Sequence, residues 1–431
     1  MSQLVAVFDC AKKCFWLRIF CLSWAINFTA EGRFVLDATV TLTDPRLYSH
    51  GDPHEVWRIL RQDQPVSWNE YSDHGGYWAV TTHAAGLEVL TDWQRFTSTR
   101  GVFLRPNFRD PYPGAGKMMA LSDPPRHDIL RKAIMGLFTS RAIKRRQDRT
   151  RQVVRDALYA AMYSGRCDFV REVAARIPLA VSADLLGLPA SSLDVMARMT
   201  TDAAENADDI NGIEAQLAHF EILSQYTMLI ESKRAEAGSD LVSALVAAQS
   251  SGLDITDEEI VLTCDNVVVA ANETTRQAVG AGMLALLESP AQWQALRSGA
   301  VSVRTAAEEF LRWTAPVTHI LRTARTDVEL AGASISAGDP ITVWLPSLNR
   351  DETVFEDPFA FRLDRNPNHH VAFGAGGHFC IGASLARLTI SIMLEELASL
   401  PADIEVCGPP TRIASFILGG LTSLPLQFHP H

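Results

Sequence analysis

The chain has 431 residues, 47% of them hydrophobic, and a formal net charge of −11. Such a length can bury a large core. No Pro/Gly/Ser-rich linker, low-complexity run or internal repeat divides it, which favours one large globular unit. The acidic balance argues against a nucleic-acid partner, which calls for a basic face.

The N-terminus opens with Lys12 and Lys13 ahead of an apolar run, Phe15 to Ile26, interrupted by Arg18. The run is shorter than the roughly 20 residues of a spanning helix. A charged start before a short apolar stretch shares features with a signal peptide, but no small-x-small cleavage site follows. Residues 1–40 are therefore expected to be a peripheral extension or an upstream reading of the start codon, with a single domain over 41–431 and no integral membrane anchor. The cysteines, Cys10, Cys14, Cys21, Cys167, Cys264, Cys380 and Cys407, are odd in number and scattered without a CxxC pair. That excludes zinc-ribbon and thioredoxin-like motifs and fits free thiols in a reducing, cytoplasmic setting.

Further along, Asp123-Pro124-Pro125 predicts a helix capped by Asp123 and running to about Phe138. The basic segment Arg141-Ala-Ile-Lys144-Arg145-Arg146, continued by Arg149, Arg151 and Arg155, reads as a solvated helix face or as a docking patch for an acidic protein. Thr256-Asp-Glu-Glu259 has capping-box spacing and opens a long apolar stretch, Ile260 to Leu287. A helix that is apolar nearly all round belongs inside a large protein. Asp265, Asn266, Asn272, Glu273 and Arg276 disqualify it as a membrane span. A helix over about Val301–Trp313 follows, then strands at Val328–Leu330 and Ile341–Leu345 separated by a turn at Ala337-Gly338-Asp339. A last helix is expected over Ala383–Leu397, and a hairpin over Phe416–Leu426 around Gly419-Gly420. The sum is a mainly α fold with a small β region.

The segment Phe373-Gly-Ala-Gly376-Gly-His378-Phe-Cys380-Ile-Gly382 carries the most chemistry. A thiolate metal ligand needs a deprotonated sulfur, which a helix start favours, and backbone N–H groups free to face it. Gly376 and Gly382 let the chain bend and approach closely, and Phe373 offers an apolar cover. A phosphate-cradling loop is the rival reading of these glycines, but no Lys-Ser/Thr follows. Cys380 could alternatively be a buried structural thiol.

This segment resembles the haem-binding loop of the cytochrome P450 family, FGxGxHxCxG, at every fixed position. The resemblance covers about residues 45–431 and is closest to soluble bacterial members. It implies a helix-rich triangular prism with a long central helix over the haem, haem b (iron protoporphyrin IX) as cofactor, and Cys380 as the iron ligand. Glu309-Phe-Leu-Arg312 matches the family's ExxR; residues three apart share a helix face, and the resemblance adds Arg365 as their partner. His127 and Arg131, four apart and so on one helix face, match propionate partners, as do Arg322 and His378. Ala270-Ala271-Asn272-Glu273-Thr274-Thr275 matches the family's acid–alcohol motif. Glu273 and Thr274 are thus the candidate proton relay for O–O cleavage, although a mid-helix Thr can instead bond back to a carbonyl and bend the helix. Ala271 stands where the family has glycine and would crowd the oxygen groove.

The implied activity is O2-dependent monooxygenation, hydroxylation or epoxidation, of a mostly apolar small molecule such as a terpene, polyketide, steroid-like compound or aromatic. Electrons would come from ferredoxin and its reductase, docking near Arg126 and Lys132, and the chain is expected to be a monomer. A haem sensor has no need of the Glu273–Thr274 pair, and peroxide-driven relatives lack it. Pocket candidates follow by position: Leu104, Phe108, Val267, Val268, Ala271, Val317, His319, Ile320 and Leu418.

Overall fold

The computed structural model describes residues 26–28, 34–36, 41–72, 75–110, 112, 114–188 and 213–431. Cys10, Cys14, Cys21 and all but the last residue of the apolar run from Phe15 lie outside them. Within the extension, Ile26–Phe28 and Phe34–Leu36 pair antiparallel, Ile26 opposite Leu36.

The central helix spans Asp257–Leu287. It starts at the capping box read from the sequence: Glu259 N–H donates to Thr256 Oγ1 at 3.3 Å, and Thr256 N–H donates to the Glu259 carboxylate at 2.8 Å. Its 31 residues make a rod of roughly 46 Å at 1.5 Å per residue. The rod packs against the Arg176–Leu186 and Val303–Thr314 helices. The second contact depends on Gly282, where any Cβ would collide with the Phe310 ring. The last helix, Ala383–Ser399, lies against Val303–Thr314 and Gln147–Ser164, and Ile390, Met393, Leu394 and Phe310 share one buried cluster there.

A five-stranded sheet flanks the helices in the order Val66–Ser72, Gly75–Val80, Pro340–Trp344, His319–Ala324, Phe96–Thr97. Pro340–Trp344 runs parallel to Gly75–Val80 and antiparallel to His319–Ala324. Side chains alternate along a strand, so His319 and Leu321 face one side of the sheet while Ile320 and Arg322 face the other. The Val328–Leu330 strand is as expected, paired with Ala333–Ile335.

Two expectations need correction. The helix after the double proline is shorter, Arg126–Met135, followed by a 3-10 turn at Gly136–Phe138. Asp123 does not cap it: its buried carboxylate instead accepts from Ser98 N–H at 3.1 Å, Ser98 Oγ at 2.9 Å, the Thr97 hydroxyl and Arg325. The tail hairpin is formed by Thr411–Arg412 and Leu421–Ser423, so Phe416–Gly420 belong to its loop. Leu426 sits in a separate strand, Pro425–Pro430, between Ala402–Val406 and Arg166–Asp168.

Candidate active site

The loop from Phe373 to Gly382 enters the Ala383–Ser399 helix as the sequence implied. Gly376 has φ +69°, and a Cβ there would stand 2.7 Å from the Leu90 carbonyl oxygen, so backbone shape and space both demand glycine. Cys380 N–H donates to the Phe373 carbonyl at 2.9 Å. The N–H groups of Gly382 and Ala383 favour the ionised form of the Cys380 sulfur. The bare side of Gly382 stands 3.8 Å from that sulfur. Cys380 lies deep among protein atoms, yet keeps open surface.

Burial pushes the Cys380 thiol up; the two N–H groups, Arg131 and Arg387 oppose it only in part. The helix start favours the ionised sulfur as expected, but desolvation outweighs it. A coordinated metal deprotonates a thiol outright, so the loop's contribution is donors and shape.

Beside the thiol lies a cluster of donors. The His127 and His378 rings are 4.2 Å apart. His127 Nδ1 meets Asp128 at 2.9 Å, whereas its buried Nε2 has no partner. Arg322 is 4% exposed, and its one hydrogen bond among the described residues runs from Nη1 to the Leu321 carbonyl at 2.8 Å. Burial drags its pKa down to about 10. His378 is pushed to about 3 by burial and then by the charge of Arg322; its Nε2 lies 3.2 Å from Ser98 Oγ. The nearby carboxylate, Asp123, is taken by Thr97, Ser98 and Arg325. A buried guanidinium without a carboxylate, next to an orphaned imidazole nitrogen, fits the paired propionates of iron protoporphyrin IX. Arg131 is placed differently: its Nη2 donates to the Phe379 carbonyl at 2.8 Å, which ties its helix to the cysteine loop.

The central helix carries an open stripe of its own. Val269, 47% exposed, and Ala270 are open to space in mid-helix, and Asn266, Glu273 and Thr274 extend the same stripe at helical spacing. Thr274 Oγ1 donates back to the Ala270 carbonyl at 2.7 Å, the local bond allowed for in the sequence reading. Burial raises the Glu273 pKa, and Arg276, 3.3 Å away, offsets this only partly. Glu273 Oε2 is buried without a partner. A carboxyl with a raised pKa next to a hydroxyl can hold and pass a proton.

Glu309 and Arg312 are both fully buried and paired twice, at 2.7 Å each. Arg312 also donates to the carbonyls of Asn349, Pro358 and Ala360, and Arg365 Nε reaches Glu309 at 3.2 Å. This network binds the 349–365 segment to the helix below the cysteine loop.

The pocket candidates divide. Val317 and Leu418 are joined by an antiparallel bridge, and Ile320 Cδ1 would stand 3.6 Å from a Cβ on Gly374, so these three lie near the cysteine loop and tail turn. Ala271 is half-buried beside the open stripe. Leu104 and Phe108 are instead core residues packed with Trp57, Tyr77 and Trp344. Val267 and Val268 face the cluster formed with Ile222, Tyr226 and Leu245. His319 is sealed: its Nε2 accepts Leu104 N–H at 2.9 Å and its Nδ1 donates to the Phe416 carbonyl at 3.0 Å, so it serves as a tie rather than a substrate contact. Missed were Ala270 and Asn266, which stepping back four and eight residues from Thr274 would have found, and Val269, four back from Glu273, together with the Asp123–Ser98–Arg325 cluster, which only folding assembles.

A thiol-bearing loop, a cluster of propionate-type donors and an acid–alcohol pair on a central helix define a haem-thiolate protein. A family model described as Cytochrome P450 matches residues 196–398. The chain is 34% identical over 390 residues to Cytochrome P450 NovI of Streptomyces niveus, covering 90% of this chain and 96% of that one. It is also 34% identical over 398 residues to a steroid C26-monooxygenase of Mycolicibacterium smegmatis, covering 91% and 96%. A crystal structure of P450 OxyD, involved in the biosynthesis of vancomycin-type antibiotics, superposes with a TM-score of 0.84 at 35% identity, covering 91% of this chain and all of that one. The chain belongs to the cytochrome P450 family; it is a haem b-dependent monooxygenase that takes a substrate, O2 and electrons from a redox partner. No helix among the described residues is long and apolar enough to cross a membrane.

Proposed function

We propose that the protein inserts one oxygen atom from O2 into a mostly apolar small molecule, by hydroxylation or epoxidation, with Cys380 as the iron ligand and ferredoxin as the electron donor. The observation that carries this reading is the pairing of an open, N–H-lined thiol at Cys380 with an open helix stripe bearing Glu273 and Thr274. Bound haem supplies the oxygen-activating chemistry. His127, Arg322 and His378 would orient it through its propionates, and Arg131 would steady the loop beneath it. Burial raises the Glu273 pKa, which would suit this carboxyl to take up and pass on a proton. Turning the Thr274 hydroxyl away from the Ala270 carbonyl would hand that proton toward the reacting oxygen. A sensor or a peroxide-driven enzyme needs no such pair. Glu309, Arg312 and Arg365 hold the support.

The substrate would rest on Val269, Ala270, Ala271, Val317, Ile320 and Leu418. That lining suits an apolar skeleton, as does the name of the steroid-acting relative. The decisive experiment combines two spectra. The reduced, carbon monoxide-bound protein should show the Soret band of a thiolate-ligated haem, lost in Cys380→Ser; the band of an imidazole-ligated haem sinks the reading. A panel of apolar candidates should include compounds that shift the ferric spectrum, and binding confined to polar or charged compounds would reverse the substrate class.

Ferredoxin docking is supported by Lys132, Arg141, Lys144 and Arg145, exposed and without an ion pair among the described residues, around Met135, which is 53% exposed. The short helix that carries the last three, Ser140–Arg145, packs on the helix that follows Cys380. Arg126 is withdrawn from this surface: it donates to Glu259 at 2.7 Å and to the Asp254 carbonyl at 2.6 Å. Arg146, Arg151 and Arg155 are likewise committed, to Asp184, Glu395 and Glu396. Lys132→Glu with Arg145→Glu should slow reduction by ferredoxin and flatten its salt dependence; an unchanged rate removes this face from the proposal. The same reading takes residues 41–431 as one haem-binding unit, monomeric and cytoplasmic, in keeping with the unpaired Cys167, Cys264, Cys380 and Cys407.

A further inference from the structure

A second carboxylate network lies next to the first and faces the other way. Glu308, the neighbour of Glu309, accepts from Arg387 Nε at 2.7 Å and Nη2 at 2.9 Å, a two-pronged grip, and meets His370 Nε2 at 2.9 Å. Burial alone would raise the Glu308 pKa, but His370 and Arg387 hold it down to about 2. The guanidinium so held stands 4.7 Å from the centre of the Phe373 ring. His370 lies against the same ring at 5.9 Å and Phe379 meets it edge-on at 6.0 Å. The Phe373 carbonyl in turn receives the N–H of Cys380. The contacts therefore run in series from anion to cation to aromatic ring to thiol loop. A planar guanidinium on a ring face is favourably placed, and Arg387 is one of two arginines whose charge reaches Cys380. The other, Arg131, has no carboxylate grip and donates to Phe379 instead.

We propose that Arg387, clamped by Glu308 onto Phe373, is a positioning residue whose charge favours the reduced, more electron-rich state of the centre bound by Cys380. This rests on the haem-ligand reading of Cys380. The physical ground is that a fixed cation behind a thiolate stabilises added negative charge, and groups behind a metal ligand tune the metal as the ligand itself does. It has nothing to do with partner docking, so it shows in the isolated protein.

The test is an equilibrium redox titration of the haem-loaded protein with mediator dyes and no ferredoxin. Arg387→Gln should move the midpoint to more negative potential, and Arg387→Lys, which keeps the charge, should restore most of the difference. Glu308→Gln removes the anion yet keeps an acceptor for the guanidinium, so it should move the midpoint the opposite way, to more positive potential. Gln and Lys shifting alike at 387, no shift at either position, or a downward shift for Glu308→Gln would each overturn the proposal. Where Arg387→Gln loads haem poorly, the sign of the Glu308→Gln shift decides. The carbon monoxide spectrum of the unaltered protein separates the two levels: without a thiolate band the ligand reading fails, whereas a thiolate band with unresponsive potentials fails this inference alone.

Discussion

Glu309 is buried and Glu273 partly buried, each with an arginine three residues further along its helix. Around Glu309 every prong is used: two bonds to Arg312, one to Arg365, one from Asn368 Nδ2 at 3.2 Å, and the N–H of Arg362 at 2.9 Å. Around Glu273 the accounting stays open. Among the described residues, Glu273 Oε2, Arg276 Nε, Asn272 Nδ2 and Gln277 Nε2 are buried without hydrogen-bond partners, and the Arg276 contact is long at 3.3 Å. Unmade hydrogen bonds are expensive inside a protein. The first network holds a fixed shape; the second leaves polar groups uncommitted, as the proposed proton relay would require.

That contrast can be broken. Glu309→Gln leaves Arg312 and Arg365 buried and under-compensated, at a cost of about 3–5 kcal/mol. The expected outcome is a sharp fall in thermal stability and little haem-loaded protein, read by melting and by the carbon monoxide spectrum; normal loading and melting would show the network to be dispensable.

Glu273→Gln should leave haem loading and stability nearly untouched, because it removes a group with few bonds to lose. Product formation should fall by about 10²-fold, the lower range for a lost proton-transfer group. Thr274→Ala should act in the same direction, with oxygen consumed but less product formed per O2. An undiminished yield in both variants would reduce Thr274 to its back-bond with Ala270 and Glu273 to a packing group.

The smallest effect concerns the helix Ile213–Ala235. His219 on it lies 3.2 Å from both oxygens of buried Asp265 on the central helix, and this raises the His219 pKa above its ordinary 6.5. Since the folded value is the higher one, the pairing stabilises the structure fully below the ordinary histidine pKa and is lost as pH rises through the folded value. Hydrogen exchange in this helix should therefore quicken modestly above neutral pH. Asp265→Asn should abolish that pH step, and its persistence would place the pH response elsewhere.

Much of the chemistry was legible along the chain because its parts are local. The capping box at Thr256–Glu259, the i,i+3 spacing of Glu309 and Arg312, and the loop from Phe373 to Gly382 each need only neighbours in sequence, and each falls where its pattern put it. The sheet was only half legible: Trp68, Asn69 and Glu70 blur the alternation of its edge strand. The pocket was misread at His319 and Val268 by counting along the chain without following the strand and helix periods that turn those side chains away from the cysteine loop.

What the sequence determined by itself is the identity of the reactive groups and their local frames: a thiol at a glycine-bent helix start, an acid and an alcohol side by side on a long helix, and a helix pair of opposite charges. What only the tertiary structure decided is which charges are spoken for. Arg126 is claimed by Glu259, Asp123 by Arg325, and Arg387 by Glu308, in each case across at least 79 residues of chain. Electrostatic pairing depends on distance in space and on burial, and neither is written in the spacing of residues along the chain.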